Sequence, residues 1–395
     1  MDRKVREKLL LSLNIFLQFL GHSTYGVFVP IFILKAGFSL EELFLYGISD
    51  GLGTILGAII APTLIRKFGL KFPLVFRAIF QPIWLVLFVN NANLPFPIQA
   101  YGFVFGIFTC IYWVSVTTYT VNSSKEKERG FFAGVTSSMI WFASIIAPLF
   151  GAFVIRIFGY SALFASAIIV LSLAIIPAIL LPKIKYSGEK THSDISNKRK
   201  ILGAMVLLYI IIGGSGIALY YAWPVFIYQQ MGGELQVGLL ASLGSFFGLA
   251  GALFGGWVSD KANKTRIITT SGVVLAFGWF ASAFAKGAFS FSAIVSLRRF
   301  SDEVTANSLF AKFSNIFAED DLVLRMGERQ LAIGTGLVLF GILAVFVPLE
   351  TFFVFIGMFF LLYSAVISDM QFNTRRKLAL SKGTITLIER VFYNK

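Results

Sequence analysis

The stretch that decides the fold is "PKIKYSGEKTHSDISNKRK", residues 182–200. It is polar and rich in Ser and Lys, and no other interior segment is so long and so clearly non-apolar. On both sides the chain runs through apolar stretches of about 20 residues, each long enough to cross a bilayer as a helix that satisfies its own backbone hydrogen bonds. Upstream these lie at roughly 9–34, 41–64, 72–89, 97–121, 131–156 and 161–181; downstream they lie at roughly 201–230, 235–257, 267–285, 288–311, 329–348 and 351–370. Six precede the polar stretch and six follow it. The sequence therefore predicts an all-α polytopic membrane protein with twelve transmembrane helices in two six-helix bundles. Residues 1–182 form the N-terminal bundle, 183–200 a cytoplasmic linker, and 201–395 the C-terminal bundle with a cytoplasmic tail.

Composition agrees. Of 395 residues, 57% are hydrophobic and 14% charged, and 44 are Phe. A soluble chain carries about a quarter charged residues. The net charge of +14 might suggest a nucleic-acid partner, but its distribution argues otherwise. With the N-terminus inside, the inner segments hold 28 Lys and Arg and the outer segments three (Lys35, Arg156, Lys286). Three more (Arg77, Arg298, Arg299) fall within spans. This is the positive-inside bias. It places both termini in the cytoplasm and sets the basic excess against an anionic leaflet. No cleavable signal peptide is expected, because the apolar run after "MDRKVREK" is long and lacks a small-residue cleavage site. The single cysteine, Cys110, excludes an intrachain disulfide. Cys110, His22 and His192 are not spaced as metal ligands, no phosphate-binding glycine loop is present, and no nucleophile–base arrangement is legible. Neither an enzyme nor an ATP-driven pump is expected, and no cofactor or metal.

The two halves look duplicated. A shift of 194 aligns Pro30 with Pro224, Gly57 with Gly251 and Lys67 with Lys261; a shift of 200 aligns Gly134 with Gly334 and Pro148 with Pro348. The pairs Gly53/Gly57 and Gly251/Gly255 have the spacing of close helix contacts.

Certain motifs carry a resemblance. "GGWVSDKANKTR", with Gly256, Asp260, Lys261, Lys264 and Arg266, resembles the loop motif of the major facilitator superfamily between the second and third helix of each half. An acid at a helix end ringed by bases can hold one conformation closed and release it in another. In the first half the same place reads "PTLIRKFGLK": Pro62 stands for Gly and Arg66 for the acid, so the usual network is not expected there. "ASIIAPLFGA", residues 143–152, resembles in part, at Pro148 and Gly151, a fifth-helix motif common in the family's antiporting exporters. The resemblance implies a secondary transporter with a midplane site between two parallel repeats, alternating access, and a cavity lined by the first, fourth, seventh and tenth spans.

Charges inside spans are the candidates for that site. "SLRRFSDEV", residues 296–304, puts Arg298, Arg299, Asp302 and Glu303 in the tenth span. Each costs about 2.5–3.5 kcal/mol at mid-membrane if unpaired. Arg298 with Asp302, and Arg299 with Glu303, are four apart, so the set can neutralise itself in part. Two readings stand: a lattice of ion pairs that fixes the helix, or a solute or proton site. His22 lies near the centre of the first span with Gln18 and Tyr25 within a turn, and Asp50 near the centre of the second. An imidazole exchanges protons near neutral pH, and a membrane carboxylate can carry a proton from one side to the other. Each is also readable as a hydrogen-bonded core residue. Tyr112 and Trp113 on the fourth span, and Tyr220, Tyr221 and Trp223 on the seventh, are candidate walls for an apolar or planar solute, or packing and interfacial anchors. Arg77 reads as snorkelling towards the cytoplasmic face.

The expectation is export of a small organic solute in exchange for protons, by a monomer in a bacterial or archaeal plasma membrane. A carrier of an anionic solute that uses the midplane arginines is the rival. A non-transporting receptor or scaffold on the same fold is the third reading.

Overall fold

The computed structural model describes residues 3–90, 96–122, 129–183, 186, 195–317 and 320–368. Most of the linker and the basic tail at 371–395 lie outside the described residues.

Nine helical segments among the described residues are long and apolar enough to cross a membrane. In chain order they begin with α1 (Arg6–Lys35), α2 (Leu40–Phe68), α3 (Lys71–Val89) and α4 (Ile98–Asn122). The continuous stretch Ala133–Leu180 breaks at Gly159, whose φ of 80° takes the chain through a bend that L side chains resist, and so supplies two arms, α5 (129–158) and α6 (160–180). Then come α7 (Leu202–Met231) and α8 (Glu234–Lys261). α9 (Lys264–Ser282) and α10 (Gly287–Ile316) have the length but are more polar. α11 (Leu322–Phe346) and α12 (Leu349–Ser368) complete twelve.

Local sequence sets the ends. Ser39 and Glu42 cap the start of α2 reciprocally, and Gly69 stops it with a φ of 84°. Asn263 and Asp321 cap α9 and α11 by accepting from backbone N–H groups one turn in.

Two interruptions are related by the repeat. Proline lacks an N–H and its ring crowds the carbonyl four residues back. Before Pro30 the helix tightens to a 3₁₀ turn over Gly26–Phe28; before Pro224 it widens to a π-turn over Ala218–Ala222. The same proline position thus disturbs both α1 and α7.

Within the first half, α2 lies on α4 at a distance only glycine permits. A Cβ on Gly53 would come 1.9 Å from the carbonyl oxygen of Phe103. Under the repeat α8 lies on α10, and a Cβ on Gly251 would come 2.5 Å from the carbonyl oxygen of Phe300. The two halves meet along α2 with α11 and α5 with α8. Gly51 faces Gly334 across the first seam and Gly134 faces Ala252 across the second.

Candidate functional site

The four charges of α10 do not pair with one another. Among the described residues the ion pairs are Lys35–Glu234, Arg66–Asp321 and those of Arg325 with Asp320 and Glu328. The internal pairs four residues apart that one of the two sequence readings allowed are not formed. Rings hold the arginines instead. Arg298 is 1% exposed and its guanidinium lies between Trp279, at 3.6 Å, and Trp223, at 4.3 Å. Its Nη1 donates to Ser282 Oγ at 2.9 Å, while Nε and Nη2 are buried without a partner. Arg299 lies 5.2 Å over the ring of Trp141 on α5. Glu303 accepts from Asn307 Nδ2 at 3.3 Å, and Asn307 Oδ1 accepts from Ser137 of α5 at 3.1 Å. Two of the four charges therefore reach across to the first half.

Arg298, Arg299 and Asp302 line a small void of about 10 Å³ with Ser215, Leu219, Leu275 and Trp279. That is room for about one water. Tyr220 stands beside this cluster. It is 59% exposed. Trp223 is 3% exposed, and Tyr221 donates from Oη to Asp50 Oδ2 at 2.8 Å. One π-turn in α7 thus aims Tyr221 at a carboxylate of the other half, leaves Tyr220 exposed, and leads directly into the tryptophan under Arg298. Trp223, being buried, is not an anchor at the outer interface.

The polar residues of the first half form a chain. Arg77 Nε donates to Gln81 Oε1 at 2.9 Å, Gln81 Nε2 donates to Tyr25 Oη at 3.1 Å, and that hydroxyl lies 3.3 Å from His22 Nδ1. The imidazole stacks on Phe105, with centroids 5.7 Å apart. Arg77 is 1% exposed, over Tyr112 at 4.3 Å and Phe19 at 5.4 Å. It does not snorkel; it is sealed between α1, α3 and α4. Tyr112 is accordingly a lid on Arg77 and is fully buried, and Trp113 packs on Phe19. Gln18 is also fully buried, and neither amide atom has a partner. A third arginine, the half-buried Arg329, lies over Tyr209 and Phe310 with Nε and Nη1 unpartnered. The sequence places Arg329 at the edge of a loop, and only its rings reveal it.

A family model described as Major Facilitator Superfamily matches residues 11–300. The chain belongs to the major facilitator superfamily. Two solved structures of the superfamily's FucP share its fold at low identity. One, in the outward conformation, has a TM-score of 0.67 at 15% identity and covers 91% of this chain and 97% of its own. The other, a variant of the E. coli fucose:proton symporter, has a TM-score of 0.68 at 14% identity and covers 93% and 99%. A comparison with curated proteins found no match.

The superfamily loop motif can now be placed. Asp260 Oδ2 accepts from the backbone N–H of Phe131 at 2.8 Å, in the first turn of α5, so this carboxylate sits at a helix N-terminus of the opposite half. Gly256 lies against Gly134 in the same seam. Lys261 lies over Trp257 at 4.5 Å, and Arg266 is exposed. In the first half Arg66, the departure from the superfamily pattern, pairs with Asp321, the residue that caps α11. The link expected to be missing is present with its charges reversed. Tyr186 of the linker also donates to Asp321, at 3.2 Å. At the other end of the molecule Lys35 pairs with Glu234, which also accepts from Tyr160 at 3.2 Å. In the fifth-span stretch, the carbonyl of Pro148 would meet a Cβ on Gly238 at 2.8 Å, and a Cβ on Gly151 would meet the carbonyl of Thr24 at 2.2 Å. Pro148 therefore lies on the seam between halves and Gly151 on the contact of α5 with α1.

Proposed function

We propose that this secondary transporter moves a small organic solute bearing an acidic group, coupled to protons, with export in exchange for protons as the direction the fifth-span pattern favours. The observation that carries the reading is Arg298. Two of its nitrogens, Nε and Nη2, are buried and unspent, beside a void and beside two aromatic faces. A buried donor without an acceptor is costly, and a carboxylate or phosphate entering from the aqueous side would satisfy it with charge-assisted bonds. Arg299, Tyr220 and Trp223 complete the solute side. Asp50, held by Tyr221, is the coupling carboxylate, with His22 and Gln18 on the same side of the cavity. Asp260, Lys261, Arg266 and Gly256 form one gate latch, with Pro148 on the seam and Gly151 steadying α5.

On this reading 1–182 and 201–395 move as two bundles joined by 183–200, in a monomer with both termini on the cytoplasmic side of a plasma membrane. The shared fold supports proton coupling by analogy, because one of the two similar structures is that of a fucose:proton symporter. A thermal-shift screen of small carboxylates against their neutral amides, at two pH values, tests the solute class. Carboxylates should stabilise the protein and amides should not. Arg298→Gln should weaken carboxylate affinity tenfold or more, the loss of about 1.5–3 kcal/mol of charge-assisted bonding. Equal stabilisation by acid and amide would overturn the acidic-solute reading.

A further inference from the structure

An open groove of about 380 Å³ runs between α8, α9 and α10 on the outside of the second half. Its wall includes Phe254, Val258, Ile267, Val274, Leu297 and Phe300. Phe254, Val274 and Leu297 are each more than a third exposed, so the groove faces the hydrocarbon of the bilayer. Two of the three hydroxyls in the wall are already committed: Thr270 donates to the carbonyl of Arg266 and Ser271 to that of Ile267. The surface offered is mainly apolar.

One end of the groove lies at headgroup depth. Val258 and Ile267 sit within a turn of the α8–α9 junction, where Trp257 is half exposed and Lys261 rests on its ring at 4.5 Å. Exposed tryptophan beside lysine is the usual mark of a membrane interface. The other end reaches Leu297, near the middle of α10. At the interfacial end stand Lys261, Lys264 and Arg266, none of which forms an ion pair with a described residue. An apolar channel running inwards from three cations fits one kind of molecule.

We propose that this groove binds an anionic phospholipid, with an acyl chain along Phe254, Val274 and Leu297 and its phosphate at Lys264 and Arg266. The site is separate from the solute cluster, whose Arg298 and Asp302 face the interior of the same α10, and it does not depend on the solute reading.

The test uses the purified full chain in mixed micelles. Melting temperature and lipid retained in native mass spectra are measured with phosphatidylglycerol, with phosphatidylcholine of the same chains, and with glycerol 3-phosphate alone. Phosphatidylglycerol should raise the melting temperature by several degrees more than phosphatidylcholine, and glycerol 3-phosphate should have no effect. The double variant Lys264→Gln/Arg266→Gln should erase the preference between the two lipids. Val274→Trp, or Leu297→Trp if the first fails to fold, should abolish retention of both. Equal effects of the two lipids, an equal effect of glycerol 3-phosphate, or a preference that survives these variants would overturn the proposal.

Discussion

Aromatic faces hold three arginines inside this protein, two of them fully buried: Arg77 by Phe19 and Tyr112, Arg298 by Trp223 and Trp279, and the half-buried Arg329 by Tyr209 and Phe310. A desolvated cation–π contact contributes about 2 kcal/mol. Two rings together offset an insertion cost of about 3 kcal/mol for one arginine. Such a cage leaves the N–H edge of the guanidinium available, which an ion pair would have consumed. A double-mutant cycle on melting temperature should give a coupling of about 1–2 kcal/mol between Arg298 and Trp279, and a smaller one between Arg298 and Asp302. The reverse order would restore the ion-pair picture. Arg298→Lys keeps the charge but loses the planar stack, so it should lower the melting temperature although it is formally conservative. That these charges avoid lipid was legible in "SLRRFSDEV"; how they do so was not. Helical spacing shows only which residues of one helix are neighbours, and the tryptophans arrive from α7 and α9.

The informative element is α7. Pro224 supplies no N–H to the turn before it, and the π-turn that results sets the directions of Tyr220 and Tyr221 and carries the chain into Trp223. Pro224→Ala restores the donor. The π-turn should then close to an α-turn, rotating the preceding residues by about 100° and withdrawing Tyr221 from Asp50. The melting temperature should equal or exceed that of the unaltered protein, while transport should take on the pH profile of Asp50→Asn. Asp50→Asn itself should flatten the dependence of uptake into proteoliposomes on an imposed pH gradient. If both variants keep the original profile, coupling runs through another group. The repeat was legible here as Pro30 aligned with Pro224, but the two prolines leave different turns behind them, and composition at one position does not determine which.

At the scale of the molecule, the halves are tied at both ends: by Arg66–Asp321 and Asp260 with the start of α5 at one end, and by Lys35–Glu234 at the other. The motif in the second half was legible. Its counterpart in the first was not, because the partner of Arg66 lies 255 residues away in sequence and the polarity is inverted. Spin-label distances between the halves should test both ties. Arg66→Glu should shift the population away from the state closed at that end, and Arg66→Glu with Asp321→Arg should restore it. Asp260→Asn should shift it in the same direction as Arg66→Glu without abolishing solute binding. Distance distributions unchanged by all three would remove the latch role.

Lys35–Glu234 and Arg66–Asp321 are bathed by different solutions, since they stand at opposite ends of a membrane-spanning body. The cationic side chain of each is nearly half exposed, so dissolved ions reach both pairs. Electrolyte weakens such contacts as the screening length falls from about 10 Å at 0.1 M to about 3 Å at 1 M. A salinity difference across the membrane should therefore tilt the resting orientation of the carrier even with no solute and no pH gradient. Vesicles loaded with dilute buffer and diluted into concentrated salt should show one distribution of spin-label distances, and the opposite arrangement should show the other.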